Sequence, residues 1–278
     1  MSTAASTSEP ARPLLAQPQQ SEIPTTDNTV PPGIQGWLPL SATTSQFATS
    51  ESNATIQNSP IPGADPKTLE LLVSQDGEIL LAKDAEHVYS SDGAILRGLA
   101  PETFSIIGYS VDHGILYGKD SIHAYWFTFS DWGIVQGAQP DTFTTSALIL
   151  PYAVDEAHVF FAGSVVNDAD PKTFSAFPNS WYAKDSKHVF SDYGYGSDVL
   201  IVAGADPHTF TPFPATYDQS GEQINFSDYG KDAYNVYCQH AMLVGADLNT
   251  FTPIDATDAK DKLQTYVDCI PFTTDAAS

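Results

Sequence analysis

Four histidines recur at the same place in a repeated pattern, each three residues after an aspartate. They are His87, His123, His158 and His188. If the repeats stacked in register, these imidazoles would form a ladder beside carboxylates, and such a ladder could bind a transition metal ion. We favour a polar turn side chain that bonds its own aspartate or the next backbone group, because unequal repeat lengths would spoil the register.

Pairs of acidic residues suggest a second metal chemistry, since Ca²⁺ takes about six to eight oxygen ligands from flexible loops. The pairs are Asp168 with Asp170 and Asp192 with Asp198. The chain has no twelve-residue calcium loop and no glycine-rich nonapeptide, so carboxylates that are solvated or that cap turns are favoured. We therefore predict no metal site and no cofactor, with Asp168, Asp170 and the four histidines as the metal candidates and calcium as the alternative.

Catalytic groups in a repeat protein should stand out as residues that a single copy carries. The repeats show no such break, and the glycine- and serine-rich stretches at Gly194 and Ser220 lack the setting of a nucleophile elbow. We therefore predict that the chain is not an enzyme. The alternative is an extracytoplasmic hydrolase of glycans or peptides that uses paired carboxylates from neighbouring repeats.

The stretch YWFTFSDWG from Tyr125 exceeds what a repeat needs for packing, and it carries Trp126 and Trp132. Aromatic faces of this kind can stack on sugars or line a peptide groove. Most aromatic rings should belong to the core, because they carry most of the burial in a thin β array. These two tryptophans are the predicted ligand surface, and the predicted partner is an unidentified protein or glycan.

The two cysteines cannot form a disulfide framework, and their separation matches no zinc pattern. Cys238 and Cys269 lie six and eight residues past their turn aspartates, so both should point to the same face of successive strands. One disulfide between the last two repeats and a pair of buried thiols both remain open.

Two motifs alternate six times along the chain, and they must position all of these side chains. The first is a turn motif that begins at Gly63, Gly98, Gly137, Asp168, Gly204 and Gly245, with successive starts 31 to 41 residues apart. Its Asp and Pro are typical of a capped helical turn, because the carboxylate accepts backbone N–H groups and proline fixes φ. Each start opens one of the segments called units 1 to 6 below.

The turn motif ends on one large apolar side chain in every unit. It is Phe104, Phe143, Phe174, Phe210 or Phe251 in five units and Leu69 in the first. This side chain should anchor the turn in the core, and its burial is worth about 1.5 to 3 kcal/mol.

The second motif is typical of a β-hairpin whose turn opens at an aspartate. The six aspartates are Asp84, Asp120, Asp155, Asp185, Asp232 and Asp261. A Tyr or Phe lies five residues after each aspartate, and in four units a Tyr lies three residues before it. We expect the aspartate to bond the backbone two residues on and the aromatic rings to meet across the two strands.

Together the motifs predict an all-β fold, a tandem array of six units of about 36 residues. Each unit would be a hairpin or three strands with one short helical turn. Because one unit cannot bury its own hydrophobic face, neighbours must stack. We expect an open, curved array, and a closed propeller-like ring is the alternative.

Domain bounds follow from composition and from the repeats. The array spans residues 63–272, and residues 273–278 form a short tail. Residues 1–36 are rich in Ser, Thr and Pro and are predicted to be a disordered tail. Residues 37–62 are a lead-in unit or a linker.

Charge and hydropathy exclude two partner classes. With 34 acidic and 11 basic residues the formal net charge is −23, so a nucleic acid would be repelled. No apolar run approaches the roughly 20 residues of a membrane helix, so we predict no membrane span. The first residues lack a basic start followed by an apolar core, which favours the cytoplasm if Met1 is the natural start.

The alternation of stretches such as AKDAEHVY and GADPHTF resembles the DKNYY family, named for a repeated Asp-Lys-Asn-Tyr-Tyr-like stretch. The resemblance covers about residues 63 to 267. It departs from the family consensus after the turn aspartate, where Ala85-Glu86 and its counterparts replace Lys-Asn. The resemblance implies a bacterial protein, often exported or surface-attached, with no assigned chemistry. We accordingly predict a non-enzymatic scaffold or binding protein in the periplasm, at the cell surface or secreted.

Overall fold

The structure is a computed structural model of the 278-residue chain. It describes residues 47–49, 54–56, 59–73, 80–90, 92–110, 113–128, 131–146, 148–193, 198–214, 216–217, 223–225, 228–255 and 257–272. The predicted tails at 1–36 and 273–278 lie outside these ranges.

The described residues form an all-β fold of short antiparallel strands without a helix. The first sheet, which precedes the turn motif at Gly63, contains β1 (Phe47–Thr49), β2 (Ala54–Ile56) and β3 (Ser59–Pro60). Unit 1 contains β4 (Glu70–Val73), β5 (Leu80–Lys83) and β6 (Val88–Tyr89). Unit 2 contains β7 (Ser105–Ser110), β8 (Ile115–Lys119), β9 (Ala124–Phe127) and β10 (Trp132–Ile134).

The remaining units continue in the same way. Unit 3 contains β11 (Ala153–Val154), β12 (Val159–Phe161) and β13 (Ser164–Val165). Unit 4 contains β14 (Ser175–Ala176), β15 (Tyr182–Lys184), β16 (Val189–Ser191) and β17 (Leu200–Ile201). Unit 5 contains β18 (Thr211–Pro212), β19 (Thr216–Tyr217), β20 (Gln223–Asn225), β21 (Tyr229–Lys231), β22 (Val236–Cys238) and β23 (Ala241–Met242). Unit 6 contains β24 (Thr252–Pro253), β25 (Ala259–Lys260), β26 (Thr265–Val267) and β27 (Ile270–Phe272).

Each unit contains one main antiparallel sheet in which strands adjacent in sequence pair. Units 2, 4, 5 and 6 have four strands, with β19 and β20 as a separate hairpin inside unit 5. Units 1 and 3 have three strands and add an isolated bridge, Tyr89 with Ile95 and Thr144 with Val154. The expected three strands are found in units 1 and 3, whereas the other four units have a fourth, because strands of two to six residues let four fit. None of the described sheets closes on itself, and within the described ranges no helix has the length and apolar character to cross a membrane.

The turn motif forms a hydrogen-bonded turn. In unit 2 the N–H groups of Thr103 and Phe104 donate to the carbonyl of Ala100 at 3.1 and 2.9 Å. The glycine that opens the motif has φ between 80° and 93° in five units, and Asp168 takes this place in unit 4 with φ 62°. This left-handed conformation is the reason for glycine at the position, because a Cβ is disfavoured there.

The hairpin register corrects one expectation, because the aromatic residues do not meet across the strands. In unit 2, Tyr125 stands opposite Gly118, and Tyr117 stands opposite Trp126. The turn holds four residues, closed by the Asp120 N–H on the His123 carbonyl at 3.0 Å. Residues three before and five after the aspartate therefore fall one position out of register and point to opposite faces.

The anchor phenylalanine packs over the small residue that stands opposite the hairpin aromatic. A Cβ on Gly118 would lie 2.9 Å from Cζ of Phe104, and a Cβ on Gly230 would lie 2.2 Å from Cζ of Phe210. In four junctions this ring contacts both the strand Tyr of the preceding unit and the hairpin aromatic of its own unit. These sets are Tyr117–Phe143–Phe160, Tyr152–Phe174–Phe190, Tyr182–Phe210–Tyr237 and Tyr229–Phe251–Tyr266, with centroid distances of 4.8 to 5.9 Å. The core thus runs between units that are adjacent in sequence.

Candidate functional site

The six hairpin aspartates each join the hairpin to the turn motif of the same unit. One carboxylate oxygen accepts the N–H groups two and three residues on, at 2.7 to 2.9 Å. The other accepts an N–H from the third residue of the turn motif, at 2.7 to 3.2 Å. Where the hairpin aromatic is Tyr, its hydroxyl donates to this second oxygen as well.

These hydrogen bonds set the protonation of the carboxylates. Burial acts to raise the pKa of Asp84, but the bonds from Asp65, Tyr89, Glu86 and His87 outweigh it and hold the pKa below its ordinary value. The pKa of four other hairpin aspartates is lowered by the same balance; they are Asp120, Asp155, Asp232 and Asp261. A carboxylate held ionised by three or four donors is a structural group, because it has little capacity left to transfer a proton.

Three of the four repeated histidines have their rings beside their own aspartates. Nδ1 of His158 is 3.4 Å from Oδ1 of Asp155, and the corresponding distances are 4.0 Å at His87 and 3.8 Å at His188. Each of the four rings also packs on the aromatic two residues on, as His123 does on Tyr125 at 6.0 Å between centroids. Across the described residues, no three His, Cys, Asp or Glu side chains gather where they could hold a metal ion.

Asp168 and Asp170 lie in the turn motif of unit 4. Asp170 accepts the N–H of Lys172 at 3.0 Å and the hydroxyl of Thr173 at 3.1 Å, which is capping geometry. Asp168 is exposed and holds the left-handed position described above. Asp192 is buried, whereas Asp198 is exposed.

A different group of polar side chains is buried where units 2, 3 and 4 meet. His113, which precedes β8, has its Nδ1 3.3 Å from Oγ of Ser110 and its Nε2 3.5 Å from Oδ2 of Asp192. The hydroxyl of Tyr152 donates to the same oxygen of Asp192 at 3.0 Å. The side chains of His113 and Asp192 are only 8% and 1% exposed, so this group, called here the buried polar cluster, is sealed from water.

Aromatic rings enclose the cluster and connect it to unit 5. Trp181 packs edge-on against His113 with centroids 5.0 Å apart, and Tyr193 lies beside Trp181. Tyr193 also hydrogen-bonds Asp228, whose carboxylate accepts from Nε2 of Gln239 at 3.2 Å. Burial raises the pKa of Asp192, against the bonds from His113 and Tyr152, and it raises the pKa of Asp228 to about 6.

Ser110, His113 and Asp192 have the residue types of a nucleophile, a base and an orienting acid. The motif spacing did not predict this grouping, because all three residues lie outside both repeated motifs, and Asp192 was expected only in a calcium pair with Asp198. A histidine outside the repeat position was the available signal. Ser110 is 7% exposed, so the hydroxyl is not presented to a substrate, and the arrangement is suited to joining three units.

The structure separates the two tryptophans of the predicted ligand surface. Trp126 stands opposite Gly133, whereas Trp132 stands opposite Phe127, so the two indoles project from opposite faces. Trp126 lies against Gly163 of unit 3, where an added Cβ would be 2.2 Å from its Nε1. Trp132 stacks on Phe127 with centroids 6.1 Å apart. Both rings are partly buried and pack against core clusters.

Cys238 in β22 and Cys269, which precedes β27, are joined by a disulfide between units 5 and 6, with Cα atoms 5.9 Å apart. Cys238 belongs to the core cluster of units 5 and 6, and Cys269 packs against it.

The model of the DKNYY family matches residues 47–194, which is more than half of the chain. This range starts before the first turn motif and includes the first sheet, and it ends in unit 4. No curated protein matches the chain.

Proposed function

Because this chain belongs to the DKNYY family, whose function is unassigned, we propose that it is a non-enzymatic scaffold or binding protein built as a stack of six units. The observation that carries this proposal is that consecutive units share the same contacts at successive junctions. Three kinds of contact recur, and each joins a side chain of one unit to the next unit.

Aromatic packing is the first kind of contact. The ring of Tyr182 in unit 4 meets that of Phe210 in unit 5 at 5.0 Å, and three other junctions repeat this pairing. Aromatic pairs of this geometry contribute about 0.5–1.5 kcal/mol beyond their buried area. A series of such junctions favours a stack that is stabilised unit by unit.

The hydroxyl groups of the same tyrosines supply the second kind. Tyr152 donates to Asp192 and Tyr182 donates to the carbonyl of Asp228, each in the following unit. Tyr229 donates to the carbonyl of Thr257 in the same way, whereas Tyr117 accepts from the N–H of Ala162 at 2.9 Å. Each buried hydroxyl therefore finds its partner only when the next unit is in place.

Lysines supply the third kind. Nζ of Lys119 in unit 2 donates to the carbonyls of Pro140 and Phe143 in unit 3, both at 2.9 Å. Lys83 and Lys184 donate to the next unit's turn motif at 3.1 and 2.9 Å. Each amine thus binds one or two backbone carbonyls of the next unit's turn motif.

We place the protein outside the cytoplasm, in the periplasm, at the cell surface or secreted. The support is the disulfide between Cys238 and Cys269, because disulfides persist in oxidising compartments. The measurement is the intact mass of protein isolated without reductant and with thiol alkylation. Two alkylated cysteines would contradict this location.

The test of the scaffold proposal is a comparison of binding with turnover, using the full chain on glycan and peptide arrays and on chromogenic glycosides and peptide esters. We expect saturable binding to one ligand class without turnover. The outcome that contradicts the proposal is turnover that the intact chain sustains.

A hydrolase is the second candidate, since a carboxyl with a raised pKa is what a general acid needs. Asp192 and Asp228 meet that condition, but these carboxyls are buried and would have to become accessible to a substrate. The discriminating variants are His113→Ala and Asp228→Asn, with His208→Ala as the control at an exposed histidine. A hydrolase requires turnover that the first two variants abolish and the control retains.

A further inference from the structure

The last sheet exposes a face that the other units bury. In β26 and β27, Thr265 stands opposite Phe272 and Val267 stands opposite Ile270. Thr265 also stands opposite Lys260 in β25, so these side chains project to one side, and the alternation of the strands puts Tyr266 on the other. Ile254, two residues past Thr252 in β24, continues the same side. The end face is defined by Ile254, Lys260, Thr265, Val267, Ile270 and Phe272.

The counterparts of Phe272 in units 1 to 5 show what normally covers this face. They are Leu96, Val135, Val166, Val202 and Leu243, and they are 2% to 7% exposed, whereas Phe272 is 57% exposed. In unit 5, Leu243 and Val236 pack against Phe251 and Tyr266 of unit 6. Unit 4 does the same through Val202 and Val189 with Phe210 and Tyr237 of unit 5. The end face is therefore the stacking surface of a unit, without a described unit over it.

Apolar side chains dominate the end face. Ile254, Val267, Ile270 and Phe272 are all exposed, at 42% to 66%. Single exposed apolar residues need no explanation, but four neighbours on one sheet face mark an interaction site. The other face of the same sheet carries Ala259 and Tyr266, both fully buried.

The charges on the face favour a second copy of this chain as the occupant. Asp258 lies two residues before Lys260, just ahead of β25, and its Oδ1 accepts the N–H of Asp268 at 3.1 Å. Ala259 between them is fully buried with Tyr266 on the other face. A two-fold axis at the centre of this segment would bring Lys260 of each copy to Asp258 of the other. The pattern is thus self-complementary, as an isologous interface requires, even though each chain carries a net charge of −23.

The strand edge is less suited to the contact than the face. Pro271 is the middle residue of the edge strand β27, and it has no N–H to donate to an added strand. Two such sheets can instead pack face to face at about 10 Å, with their strands nearly aligned.

We propose that two copies of this chain associate through their end faces, with reciprocal Lys260–Asp258 ion pairs at β25 and with Phe272 of each copy against Ile270 of the other at β27. The proposal rests on the stacked arrangement put forward above. Four short strands offer roughly 200 Å² per copy, well below the roughly 800 Å² of a standard stable interface. The dimer is accordingly weak, with a dissociation constant of about 100 μM.

The test is sedimentation equilibrium of the full chain between about 10 μM and 1 mM in 0.15 M salt, where long-range repulsion is screened beyond roughly 8 Å. We expect a reversible monomer–dimer equilibrium. Ile270→Lys should raise the dissociation constant at least tenfold. Val244→Lys is the matched control, since Val244 is 81% exposed and lies outside the end face, and it should change the constant less than twofold.

Charge exchange tests the two-fold arrangement itself. Lys260→Asp and Asp258→Lys should each weaken self-association about tenfold, because each sets like charges opposite one another. An equimolar mixture of the two variants should recover the wild-type affinity as a heterodimer. Urea unfolding of each variant establishes that the fold is intact.

Three results would overturn the proposal: a monomer at every concentration, equal weakening by Val244→Lys, or no recovery in the mixture. A monomer overturns it whether the end face is bare or covered by residues 273–278. If a double-mutant cycle finds Tyr182 and Phe210 energetically coupled in such a monomer, the stack stands and only the dimer fails.

Discussion

Gly118 stands directly opposite Tyr125 in the hairpin of unit 2, and the ring of Phe104 lies over the glycine and against the tyrosine. The same position holds Ala or Gly in every unit: Ala82, Ala153, Ala183, Gly230 and Ala259. A small residue there is what lets the turn motif dock on its hairpin. The two repeated motifs are thus halves of one packing arrangement.

Gly230→Ala should destabilise the protein by about 1–3 kcal/mol, because the new Cβ would overlap the ring of Phe210, which lies 2.2 Å from its position. The measurement is the free energy of unfolding in urea. Ala183→Gly, the opposite change at the same position of unit 4, is the control and should cost only about 0.5–1 kcal/mol. Equal stability of Gly230→Ala and wild type would contradict this packing.

Asp232→Asn should cost about 2–4 kcal/mol of stability. Both oxygens of Asp232 accept hydrogen bonds, from Tyr234 and Asn235 on one side and from Tyr237 and Asp206 on the other. An amide turns one acceptor into a donor that faces these donors. Asp141→Asn is the control, at an exposed aspartate of the turn motif in unit 3, and should change stability by less than about 0.5 kcal/mol.

Stability should depend on pH in two opposed ways. The hairpin aspartates with lowered pKa, such as Asp84 and Asp120, stabilise the fold above their ordinary value of 3.8, and this is lost as pH falls through their folded values. Asp228 acts in the reverse sense: its pKa rises from 3.8 to about 6, so its contribution is lost as pH rises across that window. The protein should be most stable near the lower end of this window.

Asp228→Asn tests the loss of stability that is expected as pH rises. A shift of one pKa unit corresponds to about 1.4 kcal/mol. The difference in unfolding free energy between the variant and wild type should therefore be about 3 kcal/mol more favourable to the variant at pH 7 than at pH 4. Urea unfolding at pH 4, 5, 6 and 7 gives the comparison. An unchanged pH slope in the variant would show that Asp228 is not the group responsible.

Asp168→Gly should stabilise the protein by about 0.5 kcal/mol. Asp168 holds φ 62° where the other units have glycine, and the left-handed conformation costs a residue with a Cβ about 1 kcal/mol. Part of that gain is offset by the larger entropy of glycine in the unfolded chain. Asn167→Gly, next to it and without positive φ, should destabilise instead; stabilisation by both variants would contradict this explanation.

The features of a single unit could be predicted from the sequence because they depend on residues close together in the chain. The all-β class, the anchor phenylalanines and the aspartates that open the hairpins all follow from residue type and spacing. The family resemblance is confirmed by the match over residues 47–194. The pairing partner of Tyr125 could not be read in this way, because it depends on how many residues the turn encloses, and a difference of one moves the ring to the other face.

The buried polar cluster could not be predicted for a different reason. Ser110, His113, Tyr152 and Asp192 come from three units and meet only when those units are packed. Separations of 40 residues between Tyr152 and Asp192 leave no periodic signal. Similarly, the separation of Trp126 from Trp132 depends on strand alternation at Gly133, which the spacing of the two residues did not reveal.

A double-mutant cycle between Tyr182 and Phe210 tests the stacked arrangement most directly, because these rings belong to consecutive units and contact each other at 5.0 Å. Tyr182→Leu, Phe210→Leu and the double variant are compared with wild type by urea unfolding. A stack predicts a coupling energy of about 0.5–1.5 kcal/mol. Additive losses, with a coupling of zero within about 0.3 kcal/mol, would contradict it.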